Sequence, residues 1–145
     1  MKFRHLTLPT GHLRNPTGPA CLVLGSWADW ESAYGCASAR PRVDFRREVV
    51  VAVHMGPCAT GGFSVQIRSA ETHPGELVIS ADYRRPGPLD LVTLVATDPR
   101  DMVALPRASL AAACPWASGP LRVTVRDSQG DVHVATTTVL RNPEA

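Results

Sequence analysis

The chain has 145 residues, 44% of them apolar and 19% charged, which is enough to bury one hydrophobic core and too apolar for a disordered segment. A formal charge of +2, from 15 basic against 13 acidic residues, argues against the concentrated basic face that nucleic acids or anionic membranes require. Thirteen prolines and eleven glycines cut the chain into short elements and favour strands and turns over long helices.

Lys2 to Leu8 alternates weakly and predicts a first strand ended by Pro9. Thr10 to Pro19 carries Gly11, Asn15-Pro16 and Gly18-Pro19 and reads as a loop. Cys21 to Leu24 is a short apolar run bounded by Gly25, predicted to be a buried strand. Ser26 to Tyr34 is the one predicted helix. Ser26 caps its first free amides, Asp29 stands three residues on in a shortened capping box, and Gly35 stops it. Trp27, Trp30 and Tyr34 share one face; a carbohydrate or peptide platform is one reading, packing on a sheet the stronger one. Arg40, Arg42, Arg46 and Arg47 form the densest basic cluster and read as a solvated strand edge, since no aromatic residues interleave to stack on bases.

The stretch from Val43 to Ile67 is the most strand-like in the chain. The run Glu48 to Met55, a loop from Gly56 to Gly62 and the alternating Phe63 to Ile67 predict a central β-hairpin. Glu76 to Tyr83 is a further strand after the Pro74-Gly75 turn, and Arg84 to Pro88 breaks the chain. Leu89 to Thr97 resumes strand character, Met102 to Leu105 is a short strand closed by Pro106, and Ser109 to Cys114 makes about one helical turn before Pro115. Leu121 to Arg126 and Asp131 to Leu140 flank the turn Asp127-Ser128-Gln129-Gly130 as the clearest hairpin. In it Leu121, Val123 and Val125 line one face, and Val132, Val134 and Thr136 return on it. About eight short strands and one short helix near the N-terminus predict a mainly β fold, an antiparallel β-sandwich or barrel-like sheet, in a single domain over 1–145.

The N-terminus lacks the apolar stretch of a secretory signal and no segment has the length of a membrane span, so the expectation is a soluble chain, or a mature one released from its signal. Cys21, Cys36, Cys58 and Cys114 form no C-x-x-C, which speaks against a zinc knuckle or a thioredoxin-type site; two disulfides and buried thiols both fit. His54 and Cys58 stand close enough in sequence for a nucleophilic pair, yet a histidine inside a valine strand reads better as a hydrogen-bonded structural residue. His5, His12, His73 and His133 have no metal-ligand spacing, and Asp82, Asp90, Asp98 and Asp101 read as turn carboxylates. Thr60-Gly61-Gly62 is followed by no helix whose dipole could hold a phosphate. The residues therefore predict no enzyme, no metal and no cofactor. The glycines of Pro57 to Gly62 suit a tight turn, or a loop inserted into a partner's cleft.

Several of these segments, taken in order, resemble the C-terminal domain of the PrcB family of protease-complex proteins. They are Trp27-Ala28-Asp29-Trp30, Pro41-Arg42-Val43-Asp44-Phe45 leading into Val49 to Val53, Gly56, Thr60-Gly61-Gly62-Phe63-Ser64-Val65, Arg85-Pro86-Gly87 and Met102-Val103-Ala104-Leu105-Pro106. The resemblance covers about 27–106 and leaves the hairpin at about 121–140 as an addition. It implies a β-rich accessory domain found with secreted or envelope-associated bacterial proteins, named for one component of a surface protease complex, with no catalytic residues to carry over. A looser similarity links Thr60 to Phe63 and Arg85-Pro86-Gly87 to the two contact loops of chagasin-type cysteine-protease inhibitors, although the second loop here lacks the aromatic residue. The expected function is a non-catalytic protein-binding module: a protease-associated subunit, scaffold or inhibitor. It would meet a protease or another protein through Thr60, Gly61, Gly62, Phe63, Arg85, Pro86 and Gly87. The alternative is a structural β domain that self-associates through a strand edge.

Overall fold

A run of valines that alternates with nothing polar needs cover on both faces, and the computed structural model supplies it. The structure describes residues 2–6, 18–35, 40–114 and 119–140. Its elements are β1 (Arg4–His5), β2 (Ala20–Leu24), α1 (Trp27–Tyr34), β3 (Glu48–His54), β4 (Ser64–His73), β5 (Glu76–Arg84) and β6 (Arg100–Pro106). A 3-10 turn (Arg107–Leu110), β7 (Gly119–Arg126) and β8 (Val132–Leu140) complete them. One four-stranded sheet has the order β1-β6-β3-β2 and the other β4-β5-β7-β8. The expected mainly β fold, two packed sheets of short strands with one short helix, is the fold observed.

Between the sheets lie Val49, Val51 and Val53 of β3 with Ile67, Leu77, Ile79, Val103, Leu121, Val123 and Val125. The opposite face of β3, Val50 and Ala52, joins Met102 and Ala104 beneath Trp30, Tyr34 and Phe45. The molecule is therefore layered helix, sheet, sheet, and the valine run reads as continuous because both of its faces are inside. Ser26 Oγ accepts from the Asp29 amide at 3.1 Å, as the cap requires. The Asp29 carboxylate reaches back to the Gly25 amide at 2.9 Å, one residue earlier than a full capping box would place it. Trp30 and Tyr34 are buried, so the aromatic stripe packs on the sheet. The Arg107 guanidinium donates to the Gly25 and Phe45 carbonyls at 2.8 Å each, fastening the start of α1 to the entrance of β3.

Four expectations are corrected. Strands β3 and β4 form no hairpin: β3 pairs with β2 on one side and β6 on the other, while β4 pairs with β5 in the second sheet. Both hydrogen-bonding edges of β3 are taken by distant segments, so the Gly56 to Gly62 loop carries the chain from one sheet to the other. The sheets are not wholly antiparallel either, because β7 runs parallel to β5. The chain between them crosses through β6 in the other sheet, a connection long enough to bring it back in the same direction. The arginine cluster lies between α1 and β3 rather than on a strand edge; Arg40 pairs with Glu31 at 2.7 Å and covers the Trp27 ring at 4.7 Å. Finally, Leu89 to Thr97 is not a strand: Leu89, Leu91, Leu94 and Val95 are 94, 103, 89 and 68% exposed.

The hairpin β7–β8 forms with Leu121 opposite Thr138 and Val125 opposite Val134. Val134 returns towards the core, whereas Val132 and Thr136 stay exposed. The register slips between Val125 and Arg126, which turns the start of β8 outward. Within the described residues the first strand shortens to Arg4–His5. The readings at Thr7 to Thr17, Cys36 and Pro115 lie outside the described residues.

Candidate functional site

The glycine-bearing loop after β3 and the long connection between β5 and β6 are stitched together at one end of the sandwich. Cys58 and Thr97 exchange backbone hydrogen bonds at 2.9 and 2.8 Å, and the Gly61 amide donates to the Thr93 carbonyl at 2.9 Å. Thr97 Oγ1 donates to the Thr60 carbonyl at 2.8 Å. Gly62 has φ +87°, and a Cβ there would stand 2.8 Å from both Pro86 and Val92. Gly62 is thus brought against Pro86, and Phe63 lines a cavity with Arg85, across two segments separated in sequence by the whole of β4 and β5. Thr60 and Gly61 meet Thr97 and Thr93 further along the connection, and Gly87 faces Asp90. Asp90 closes the second segment into a turn, its carboxylate accepting from the Gly87 amide at 2.6 Å. Gly62, Arg85 and Gly87 are exposed, the other four half-buried. Gly62→Ala should cost about 1–2 kcal/mol, since a left-handed backbone and a crowded Cβ act together; urea denaturation measures it, and an unchanged midpoint would mean that the loop readily re-forms.

Beneath this junction is a cavity of about 370 Å³. Met55, Pro57, Ala59 and Phe63 give it apolar walls, and Cys58, Tyr83, Arg85 and His133 supply the polar groups. Tyr83 and His133 stack with ring centroids 3.8 Å apart and planes at 8°. His133 Nε2 lies 2.9 Å from the Asp127 carboxylate, and that hydrogen bond holds the Asp127 carboxyl below its usual range. The Tyr83 hydroxyl is buried without a hydrogen-bond partner, and burial pushes its pKa up to about 12.

His54 and Cys58 do not meet as a nucleophilic pair. His54 is 1% exposed, with Nε2 2.7 Å from the Tyr34 hydroxyl and Nδ1 3.8 Å from Asp98. Burial pushes the imidazole pKa down, with Asp98 opposing and Arg100 reinforcing, so the ring is held neutral. The Cys58 thiol donates weakly to the Gly56 carbonyl at 3.5 Å. Burial raises its pKa, the opposite of what a thiolate nucleophile needs. Among the described residues no three His, Cys, Asp or Glu side chains gather as a metal cluster, and no described helix is long and apolar enough to cross a membrane. Two features went unread in the sequence: the set of buried Tyr34 and His54 with half-buried Asp98 and Arg100, and the exposed leucines of the β5–β6 connection. The aromatic spacing on α1 and the histidine in a valine strand were the available signals for the first. Leucines at alternate positions misled for the second.

Neither the curated proteins nor the solved structures contain a match to this chain. A protein-family model, described as PrcB C-terminal, matches residues 49–106. The matched segment begins inside β3 and ends with β6, so it contains both loops and the connection bearing the exposed leucines; α1 precedes it, and β7 and β8 follow it. Over residues 49–106, less than half of its length, the chain is similar to the PrcB C-terminal family.

Proposed function

We propose that this protein is a non-catalytic protein-binding accessory module, a protease-associated subunit, scaffold or inhibitor, whose contact surface is the loop pair around Thr60 to Phe63 and Arg85 to Val95. The observation that carries the reading is the row of Leu89, Leu91, Leu94 and Val95, at least 68% exposed and held on a hydrogen-bonded, proline- and glycine-restrained connection. Apolar side chains displayed together mark a surface that another molecule covers. Loops already fixed by backbone hydrogen bonds lose little freedom on docking.

Burial of one leucine contributes about 1.5–3 kcal/mol, so the double change Leu89→Ser and Leu91→Ser should weaken capture of the native partner by about tenfold or more. Solvent-facing changes of this kind should leave stability within about 0.5 kcal/mol. Affinity capture from the native cell with both chains, alongside their melting curves, is the test. Equal retention by the two chains would remove the surface from consideration. A second reading, self-association through a strand edge, draws on β8, an outer strand with Val132 and Val139 55 and 58% exposed. Light scattering separates the two, since a stable oligomer that captures no other protein favours the second.

A further inference from the structure

We infer that the cavity beside the loop pair receives the C-terminal residue of the partner chain, with a large apolar side chain inside and the terminal carboxylate on Arg85. This rests on the protein-binding reading and specifies what the partner presents. At about 370 Å³ the cavity is in the range of pockets that hold discrete groups, with room for an aromatic side chain and part of its backbone. Phe63, Met55 and Pro57 offer that side chain apolar walls.

The carboxylate follows from charge. Arg4, Arg40, Arg68 and Arg122 face carboxylates, and Arg107 holds two carbonyls. Arg42, Arg46, Arg47, Arg84 and Arg126 have no side-chain partner among the described residues, but none of the five lines this cavity. Arg85, exposed at the cavity, makes no hydrogen bond or ion pair with any described residue. The neighbouring carboxylates are committed elsewhere, Asp127 to His133 and to the Gln129 and Asp131 amides, and Asp98 towards His54 and Arg100. A guanidinium fork beside the apolar walls of Met55, Pro57 and Phe63 suits a group that carries an apolar side chain and a carboxylate on one residue. A chain end has both on the same α-carbon. An internal acidic residue next to an apolar one would point to the opposite side of an extended peptide.

The test uses the full chain, isotope-labelled for amide NMR, titrated with the N-acetylated tetrapeptide glycine-serine-alanine-phenylalanine. A free carboxylate should shift the Met55, Phe63 and Arg85 amides with a dissociation constant of about millimolar, as one anchoring residue provides. The C-terminal amide should bind about fivefold more weakly, the size of one exposed ion pair. Arg85→Gln should abolish that difference while leaving the other amides in place. Equal binding of acid and amide, equal binding of a peptide ending in alanine, or no shift around the cavity would each overturn the inference. Tighter binding of an amidated peptide with an internal aspartate would overturn it too. If the peptides fail while the Leu89 and Leu91 changes still abolish partner capture, the binding surface stands and only its chain-end pocket falls.

Discussion

Trp30→Ala will lower the unfolding free energy by about 3–5 kcal/mol, the largest effect expected of a single change in this chain. Trp30 is 1% exposed and lies between Trp27, at 6.3 Å between ring centroids, and Tyr34, at 4.6 Å. Helix α1 has eight residues, too few to persist without tertiary contacts. Its packing on Val50, Ala52, Met102 and Ala104 is what keeps the outer face of the first sheet dry. Removing the indole opens a cavity in that layer and loosens the helix that covers it. One effect works the other way. Trp30 Nε1 is buried without a hydrogen-bond partner, so the mutation also removes an unsatisfied donor, and the loss should fall at the low end, about 3 kcal/mol. Trp30→Phe keeps most of the ring and deletes the same donor, and should cost about 1 kcal/mol or less. Urea denaturation followed by circular dichroism measures both; a phenylalanine variant as unstable as the alanine variant would mean that a phenyl ring's bulk does not hold the layer.

Local chemistry made the helix legible, because Ser26, Asp29 and Gly35 act within a few residues of one another. The β7–β8 hairpin was legible for the same reason: Asp127 accepts from the Gln129 and Asp131 amides inside its own turn. Strand β3 was legible as a strand, but its partners were not. The residues that pair with it, Cys21 to Leu24 and Asp101 to Leu105, lie far away in the chain, and nothing in the valine run specifies which edges will be offered to it. Leu89 to Thr97 failed in the opposite direction. Its apolar residues satisfy the composition of a strand, but Asp90 bends the segment back on Gly87, and the Thr93 carbonyl is spent on Gly61. The glycines and prolines at Thr60 to Phe63 and Arg85 to Gly87 marked both loops correctly as loops. Their meeting depends on how the two sheets fold over each other, and so on contacts between residues that no short window contains.

His54→Leu should destabilise the protein by about 1–3 kcal/mol at about pH 8, and by less as the solution is acidified. The leucine fills the site but cannot pair with the Tyr34 hydroxyl, which stands 2.7 Å from Nε2 in the native chain. With the proton on Nδ1, the side nearer Asp98, Nε2 accepts from that hydroxyl, and the neutral ring is the form the interior prefers. The pH dependence follows from linkage. Burial lowers the imidazole pKa in the folded state below its ordinary 6.5, so in acid the unfolded chain binds a proton that the folded chain resists. The contribution of His54 is complete above pH 6.5 and is lost as the pH falls from there towards the folded-state value. Leucine has no proton to bind, and the carboxylates and other histidines are common to both chains. The difference in urea midpoint between them should therefore narrow from about pH 8 to about pH 5.5. A gap that stays constant over that interval would show that His54 has the same affinity for protons folded and unfolded, and that its burial against Tyr34 does not govern its charge.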